Sequence, residues 1–448
     1  MKPKSFFVTE PLVQEPLFRD GDRVCFIGSS IAMNGANMHF INLFYATRYP
    51  ERKVTFLNCG IFGDSKQNVL HRMKNDVLDF EPTWAVLQIE ESDLNPSLYY
   101  KSRMNDPLIL EKRKNALERW IKNADSIVRI LLTANVKVIL QTPTIYDQAS
   151  NVAEENAYGI NEALKECMIY LKELGVRYKL PVVDCWTILF DINEIQKKDI
   201  KKSIIGRDRV HVSELGHFVM AYQFLKTLPG TKEVSYISID AGSIKAKQQV
   251  NCSVNDLVSG RNNTSFTYVS KSLPFPSPCR INVDSLYGFT DTFNADILQV
   301  NGLANGNYKL SIDTVTVGVF NNTVFANGIN LSRFKFTPQY LQSNRILSLF
   351  DDYWKIERNL RIIKYVEFTH FSQDKKKEDV DVVKNIFNKI LVEEKESDKY
   401  NFFKNVYSIY LANKPKECAL KSKMESILNE VQGINIPVPH LYNIERTL

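Results

Sequence analysis

The sequence predicts an α/β protein. A parallel sheet with helices on both faces is expected over residues 1–230, a small antiparallel β domain over 231–330 and a helical C-terminal region over 331–448. Three observations predict this. From about residue 22 to 228, short apolar runs alternate with longer amphipathic segments, the mark of strands joined by helical crossovers. After about 232 come short alternating segments separated by Asn and Gly turns. From about 331 the chain turns charged and helix-spaced.

Five runs supply the first sheet: "RVCFIG" (23–28), "KVTFLNCG" (53–60), "WAVLQIE" (84–90), "VKVILQTP" (136–143) and "LPVVDCW" (180–186). They are rich in Val, Ile and Leu, as strands buried on both faces are. Between them, "DPLILEKRKNALERWIKNADSIVRILLTA" spaces Leu117, Ile121, Ile127 and Ile130 at near-helical intervals, and "NEALKECMIYLKELG" ends at Gly175, a helix stop. In such sheets the working site lies at the carboxyl ends of the strands. Ser29, Ser30, Gly60 and the segment after Ile89 are the residues expected to converge there. "VSYISID", "TSFTYVS", "ADILQVNGL", "NYKLSID" and "TVTVGVF" read as strands of the β domain. The joint at Pro229-Gly230 is short, which predicts a docked module. In the helical region, Tyr353, Trp354 and Tyr365 read as packing residues and "DKKKED" as a solvated loop.

Composition excludes several classes. The net charge of +6 is mild for 448 residues, without basic patches interleaved with aromatics, so nucleic-acid binding is not expected. Seven scattered cysteines form no CxxC or Cys/His cluster, so no metal is expected, and Cys25, Cys59 and Cys185 read as buried small hydrophobes. No stretch approaches the roughly 20 apolar residues of a membrane span. "MKPKSFFVTEPLVQEP" lacks a long apolar run, so this chain shows no signal peptide; the compartment stays open.

The chemistry is carried by two stretches far apart in sequence. In "VCFIGSSIAMNG", Gly28 lets the chain turn out of a strand, leaving Ser29 and Ser30 at its carboxyl end. Serine is common in turns, so this stretch alone does not define a nucleophile. "GRDRVHVSELGHFVMAYQFLK" adds Asp208 and His211, three apart before a helix-like run. That spacing lets a carboxylate orient one imidazole nitrogen while the other takes a proton from a serine hydroxyl.

These blocks resemble the SGNH hydrolases, the GDSL-type esterases, in a multidomain bacterial subgroup. The resemblance implies a three-layer, flavodoxin-like α/β domain and a serine esterase that needs no cofactor. "GSS" stands where the family carries Gly-Asp-Ser, so Ser30 matches the nucleophile and Ser29 replaces the aspartate. "NCGIFGDS" matches the second block, with Gly60 as the glycine whose N–H serves the oxyanion. Asp208 and His211 match the acid and base. The third block departs: "EESD" stands for Gly-x-Asn-Asp, with Glu90 for the glycine and Ser92 for the asparagine donor. A hydroxyl donates once and reaches less far than an amide; a carboxylate at Glu90 would repel an oxyanion. Two readings follow: an esterase acting on a small acyl ester, with an acetyl group on a carbohydrate as the first expectation, or an attenuated relative that binds a glycan or another ligand.

Overall fold

The computed structural model describes residues 14–88, 91–150, 152, 155–196, 204–206, 208–277, 288–371, 380–397 and 399–447. The apolar runs become strands β1 (Arg23–Gly28), β2 (Thr55–Gly60), β3 (Trp84–Gln88), β4 (Lys137–Gln141) and β5 (Val182–Val183). All pair in parallel, in the order β2-β1-β3-β4-β5. β3 is buried throughout and β1 beyond its first residue, which is why neither alternates with polar residues. The chain leaves β1 toward β2 on one side, then crosses to β3 on the other. A crevice opens at that switch point, at the carboxyl ends of β1 and β3.

Helices α1 (Ser30–Asn34), α2 (Ala36–Arg48), α3 (Lys66–Asp76), α4 (Pro107–Thr133), α5 (Ile160–Tyr178), α6 (Cys185–Gln196) and α7 (Glu214–Thr227) flank the sheet; α5 runs through Gly175, which gives room to Val182 rather than stopping the helix. Asp106 caps α4, accepting from Leu108 N, with Pro107 at the first helical position. Cys25, Cys59 and Cys185 are fully buried, as their apolar runs predict.

The β region holds two sheets. One orders Ile329–Asn330 (β13), Asp296–Asn301 (β10), Ser235–Asp240 (β6) and Lys245–Val250 (β7), with one parallel pair, β10 and β6. The other is antiparallel and orders Val315–Asn321 (β12), Asn307–Ile312 (β11), His440–Arg446 (β14), Asn263–Ser270 (β9) and Cys252–Ser259 (β8). β14 comes from the far end of the chain, where a wholly helical region was expected. Its "HLYNIER" alternates: Tyr442 and Ile444 are fully buried against β9 and β11, and Leu441 is exposed. The run is too short and charged to stand out, yet it completes the sheet's centre.

The helical region begins, after the short helices Phe289–Thr292 (α8) and Asn322–Asn327 (α9), with α10 (Pro338–Val366). A π-helical turn (Glu367–Phe371), α11 (Val380–Glu393), α12 (Tyr400–Asn413) and α13 (Glu417–Ile434) follow. Ile346, Phe350, Tyr353 and Trp354 of α10 join the core of the α/β domain. Met33 and Ile61, beside the strand ends, pack instead with Ile363, Val366 and Tyr407. The β region docks on the end of α2: Leu273 N donates to Thr47 O (2.8 Å), and buried Arg48 donates to Phe293 O (3.0 Å). "DKKKED" lies outside the described residues. No described helix is long and apolar enough to cross a membrane.

Candidate active site

The site starts where β1 meets α1. Ser29 precedes the helix with φ −99° and ψ −136°, and Ser30 is its first residue. Both are buried, and among the described residues the Ser30 N–H has no hydrogen-bond partner, as first-turn amides of a helix lack intrahelical ones.

Asp208 and His211 come from a tight loop between Ile204 and Ser213. Gly206 N donates to His211 O (2.6 Å) and Ser213 N to Ile204 O (2.7 Å), closing it like a hairpin. Arg209 sits in the left-handed region at φ +67°, uncommon for a residue with a β-carbon. Its buried guanidinium holds it there, donating to the carbonyls of Asp147 (3.1 Å), Ser150 (2.7 Å) and Val152 (3.3 Å). The turn lets Asp208 Oδ1 accept from the backbone N–H of Val210 (3.1 Å) and His211 (3.0 Å). Oδ2 then accepts from His211 Nδ1 at 2.5 Å. With Nδ1 donating, the neutral ring's Nε2 is an acceptor, and it takes the Ser30 hydroxyl at 2.7 Å. Burial alone would raise the Asp208 carboxyl; the bonds from the His211 ring and backbone outweigh it and bring it down to about 2. Asp208 therefore stays charged beside the imidazole. Its side chain and that of His211 are about half exposed, at 48% and 47%. His211 faces solvent while Ser30 is recessed.

The oxyanion side differs from expectation. The Gly60 N–H already donates to Asn58 Oδ1 (3.0 Å), and Gly60 is buried. Glycine is needed there because a β-carbon would come within 2.2 Å of Met33 N. Gly60 thus lets α1 lie on the end of β2 and has no free donor. Gly63, at φ +68°, is exposed, and among the described residues its N–H has no partner. Ser92 Oγ lies 3.2 Å from Ser29 Oγ and 3.2 Å from the Asp64 carbonyl it can donate to. Its single proton serves one acceptor at a time. Glu90 lies outside the described residues. Asp93 accepts from Lys66 N (3.0 Å) and Lys66 Nζ (2.5 Å), tying the third block to the start of α3.

A buried ion cluster lies behind these loops. Arg72 donates to Asp64 (2.6 Å), Asp76 (2.5 Å) and the Gly28 carbonyl (3.3 Å). Arg361 of α10 grips both oxygens of Asp76 and donates to the Gly60 carbonyl (2.6 Å). Burial pushes the Asp76 carboxyl up, but the two guanidiniums outweigh that and hold it below the usual carboxylate range. The ends of β1 and β2 are fixed by one charge network that includes the C-terminal region. Single-sequence reading missed Arg361, which is 285 positions from Asp76. It missed the partner of His39 in the same way: Glu357 meets its Nε2 at 2.5 Å.

The fold belongs to a class that comparison with known proteins identifies. Residues 24–224 match the family model described as GDSL-like Lipase/Acylhydrolase; this chain carries an SGNH hydrolase domain over those residues. Among solved structures it is similar to a gut microbial diltiazem-metabolizing enzyme, at 26% identity and a TM-score of 0.84, over 97% of this chain and 99% of that one. The acetylxylan esterase Axe2 from Geobacillus stearothermophilus also matches, at 22% identity and a TM-score of 0.38, over 47% of this chain and 94% of its own. No curated protein matches the chain.

Proposed function

We propose that the protein is a serine esterase that hydrolyses a small acyl ester, an acetyl ester foremost. The observation that carries this reading is the continuous hydrogen-bonded line from Ser30 Oγ through the His211 ring to Asp208. Ser30 Oγ attacks the ester carbonyl as its proton passes to His211 Nε2. The C–O bond to the alcohol breaks, and His211 returns that proton to the leaving alkoxide. Water, deprotonated by His211, then attacks the acyl carbon; the acyl–Ser30 bond breaks, His211 returns the proton to Ser30 Oγ and the acid leaves. Asp208 keeps the ring in the productive tautomer and stabilises the imidazolium. The N–H groups of Ser30 and Gly63 are the oxyanion donors in this reading, Gly63 replacing Gly60 because its amide is unspent. Similarity to an enzyme that acts on a small drug molecule supports a small ester over a polymer.

The test is a serine-directed fluorophosphonate. Labelling at Ser30, lost in Ser30→Ala and His211→Ala, is expected. An unlabelled, folded protein would end the esterase reading. A second reading has one observation in its favour: Ser92 Oγ is engaged with Ser29 and Asp64. It describes an attenuated relative that binds ligands in the same crevice, and it predicts labelling far slower than in an active member of the class.

A further inference from the structure

The loop after β2 spends its amides on either side of Gly63. Gly60 N donates to Asn58 Oδ1 (3.0 Å), Ile61 N to Gly28 O (3.2 Å), Phe62 N to Met33 Sδ (3.2 Å) and Asp64 N to Ile61 O (3.2 Å). Among the described residues, the Gly63 N–H between them has no acceptor. Gly63 also has no side chain to anchor it, and even a β-carbon there would meet nothing within 4 Å. Glycine is the residue with the widest backbone freedom. The direction of its N–H is therefore set by the residues around it.

Those residues are held from the far end of the chain. Arg361 Nε donates to the Gly60 carbonyl (2.6 Å) while the two terminal nitrogens grip Asp76. The Ile61 side chain is buried with Ile363, Val366 and Tyr407. The Phe62 ring meets Tyr365 (5.8 Å between ring centres, 84° between planes) and Phe402 (5.5 Å, 80°) edge to face. Tyr365 and Phe402 meet each other in the same way (6.1 Å, 72°), so the three rings close on themselves. Gly60, Ile61 and Phe62 thus each have a partner in α10 or α12. Met33, on the helix that Ser30 begins, is buried in the same cluster as Ile61. The helix of Ser30 and the loop of Gly63 share one support, and that support sets the distance between them.

The two parts of α10 divide the labour. Ile346, Phe350, Tyr353 and Trp354 fill the core of the α/β domain. The last turns, with Arg361, Ile363, Tyr365 and Val366, pack on the loop instead. A guanidinium suits this place, because its planar fork takes a carboxylate with two nitrogens and fixes the direction of the third. An oxyanion donor displaced by about 1 Å loses much of its effect on rate.

We infer, on the esterase reading with Gly63 as a donor, that the C-terminal helical region is a working part of the active site: Arg361, Tyr365 and Phe402 are positioning residues that aim the Gly63 N–H at the oxyanion. None of them touches the reacting atoms; they act through Gly60 and Phe62.

The test compares Arg361→Lys and Phe402→Ala with Val431→Ala. Lysine keeps a cation beside Asp76, but one ammonium cannot replace the fork that also holds the Gly60 carbonyl. Phe402 is 38% exposed, so its truncation leaves the fold intact. Val431 is buried in the core shared by α10 and α13, away from the loop, and its truncation loosens the helical region alone. On para-nitrophenyl acetate, kcat should fall about ten- to a hundredfold in Arg361→Lys and several-fold in Phe402→Ala. KM should change little, because an oxyanion donor acts as charge develops, and the pH profile of kcat/KM should not move, because His211 sets it. Val431→Ala should lower the urea midpoint and keep kcat. Trifluoroacetone supplies the readout specific to the oxyanion. Ser30 Oγ adds to its carbonyl carbon, the hydroxyl proton passes to His211 Nε2, and the carbonyl electron pair becomes the oxyanion. Its affinity should fall in proportion to kcat/KM across the variants. Unchanged kcat in both loop-facing variants, an equal loss in Val431→Ala, or a ketone affinity that stays constant while kcat falls would each overturn the assignment. Absent fluorophosphonate labelling of the parent would overturn the esterase reading and this role together; labelling with unchanged variants would overturn this role alone.

Discussion

The loop that carries Asp208 and His211 and the loops that follow β2 and β3 meet at the same end of β1 and are built on opposite terms. The acid–base loop is local. Among the described residues, Asp208 and His211 are joined by bonds three positions apart, and Arg209 reaches the carbonyls of Asp147 and Ser150 to fix the turn. The oxyanion side is assembled from distant pieces: Asn58, Gly63, Asp64, Ser92 and Asp93, backed by Arg72 and Arg361. A local device survives sequence drift as long as its few residues stay. A distributed one can change donor by donor. Here the first keeps its expected residues and the second does not.

The largest effect should come from breaking the local side. Ser30→Ala or His211→Ala should each cost about a millionfold in kcat, and the double variant no more, because the residues act as a unit. Additive losses would show that the 2.7 Å contact is not the working one. Asp208→Asn should cost about ten-thousandfold, since an amide can hold His211 in the wrong tautomer. Steady-state kinetics on para-nitrophenyl acetate measures all of these. A loss of only a few-fold for Asp208→Asn would mean that another group orients the ring.

On the distributed side, Arg361→Met should destabilise the protein by about 3–5 kcal/mol, because it strips a buried carboxylate of its bidentate partner. Arg72 remains on Asp76, which favours the lower end of that range. Urea unfolding would show it as a lower midpoint with the slope unchanged. An unchanged midpoint would mean that α10 is not tied to the strand ends through this cluster.

This contrast also explains what could be read in the sequence. The five parallel strands were legible because burial on both faces writes itself as uninterrupted apolar runs. Ser30, Asp208 and His211 were legible because Gly-Ser-Ser after a strand and Asp-x-x-His before a helix are short-range patterns. β14 was not, because "HLYNIER" shows only two buried apolar side chains, Tyr442 and Ile444, and its partner strands lie more than a hundred residues away. "NCGIFGDS" has two glycines, and only the structure shows that α1 packs on Gly60 and that the Gly60 N–H is already given to Asn58. Glu357 and Arg361 are invisible locally, since their partners His39 and Asp76 are 318 and 285 positions away.

Repairing the distributed side should give the next effect in size. Ser92→Asn together with Glu90→Gly should raise kcat about a hundred- to a thousandfold on a small acetyl ester, the value of one well-placed oxyanion donor, about 2.7–4 kcal/mol. KM should change little, because the added bond strengthens only as negative charge develops. The gain should vanish when Ser30→Ala is added. The present Ser92 hydroxyl lies near Ser29 and Asp64, so the longer amide has to displace those contacts to reach the oxyanion. A folded variant with no gain would make the third block irrelevant to rate and favour the ligand-binding reading.

The smallest effect returns to the local side and concerns pH. The Asp208 carboxyl titrates at about 2 in the folded protein, against 3.8 for an unperturbed aspartate. A depressed folded value means that the ionised form favours the native state. Its contribution is fully present above the unfolded value and is lost as the pH falls from about 3.8 through about 2. The side chain is about half exposed, so solvent screening keeps the amount under about 1 kcal/mol. The expected observation is a small, constant gap in melting temperature between the parent and Asp208→Asn at neutral pH, which narrows as the pH drops below about 4. A gap that widened on acidification would mean that Asp208 is not ionised in the folded protein. The hydrogen-bonded line to Ser30 would then be held by a neutral acid, and the imidazolium needed for acyl transfer would have no counter-charge.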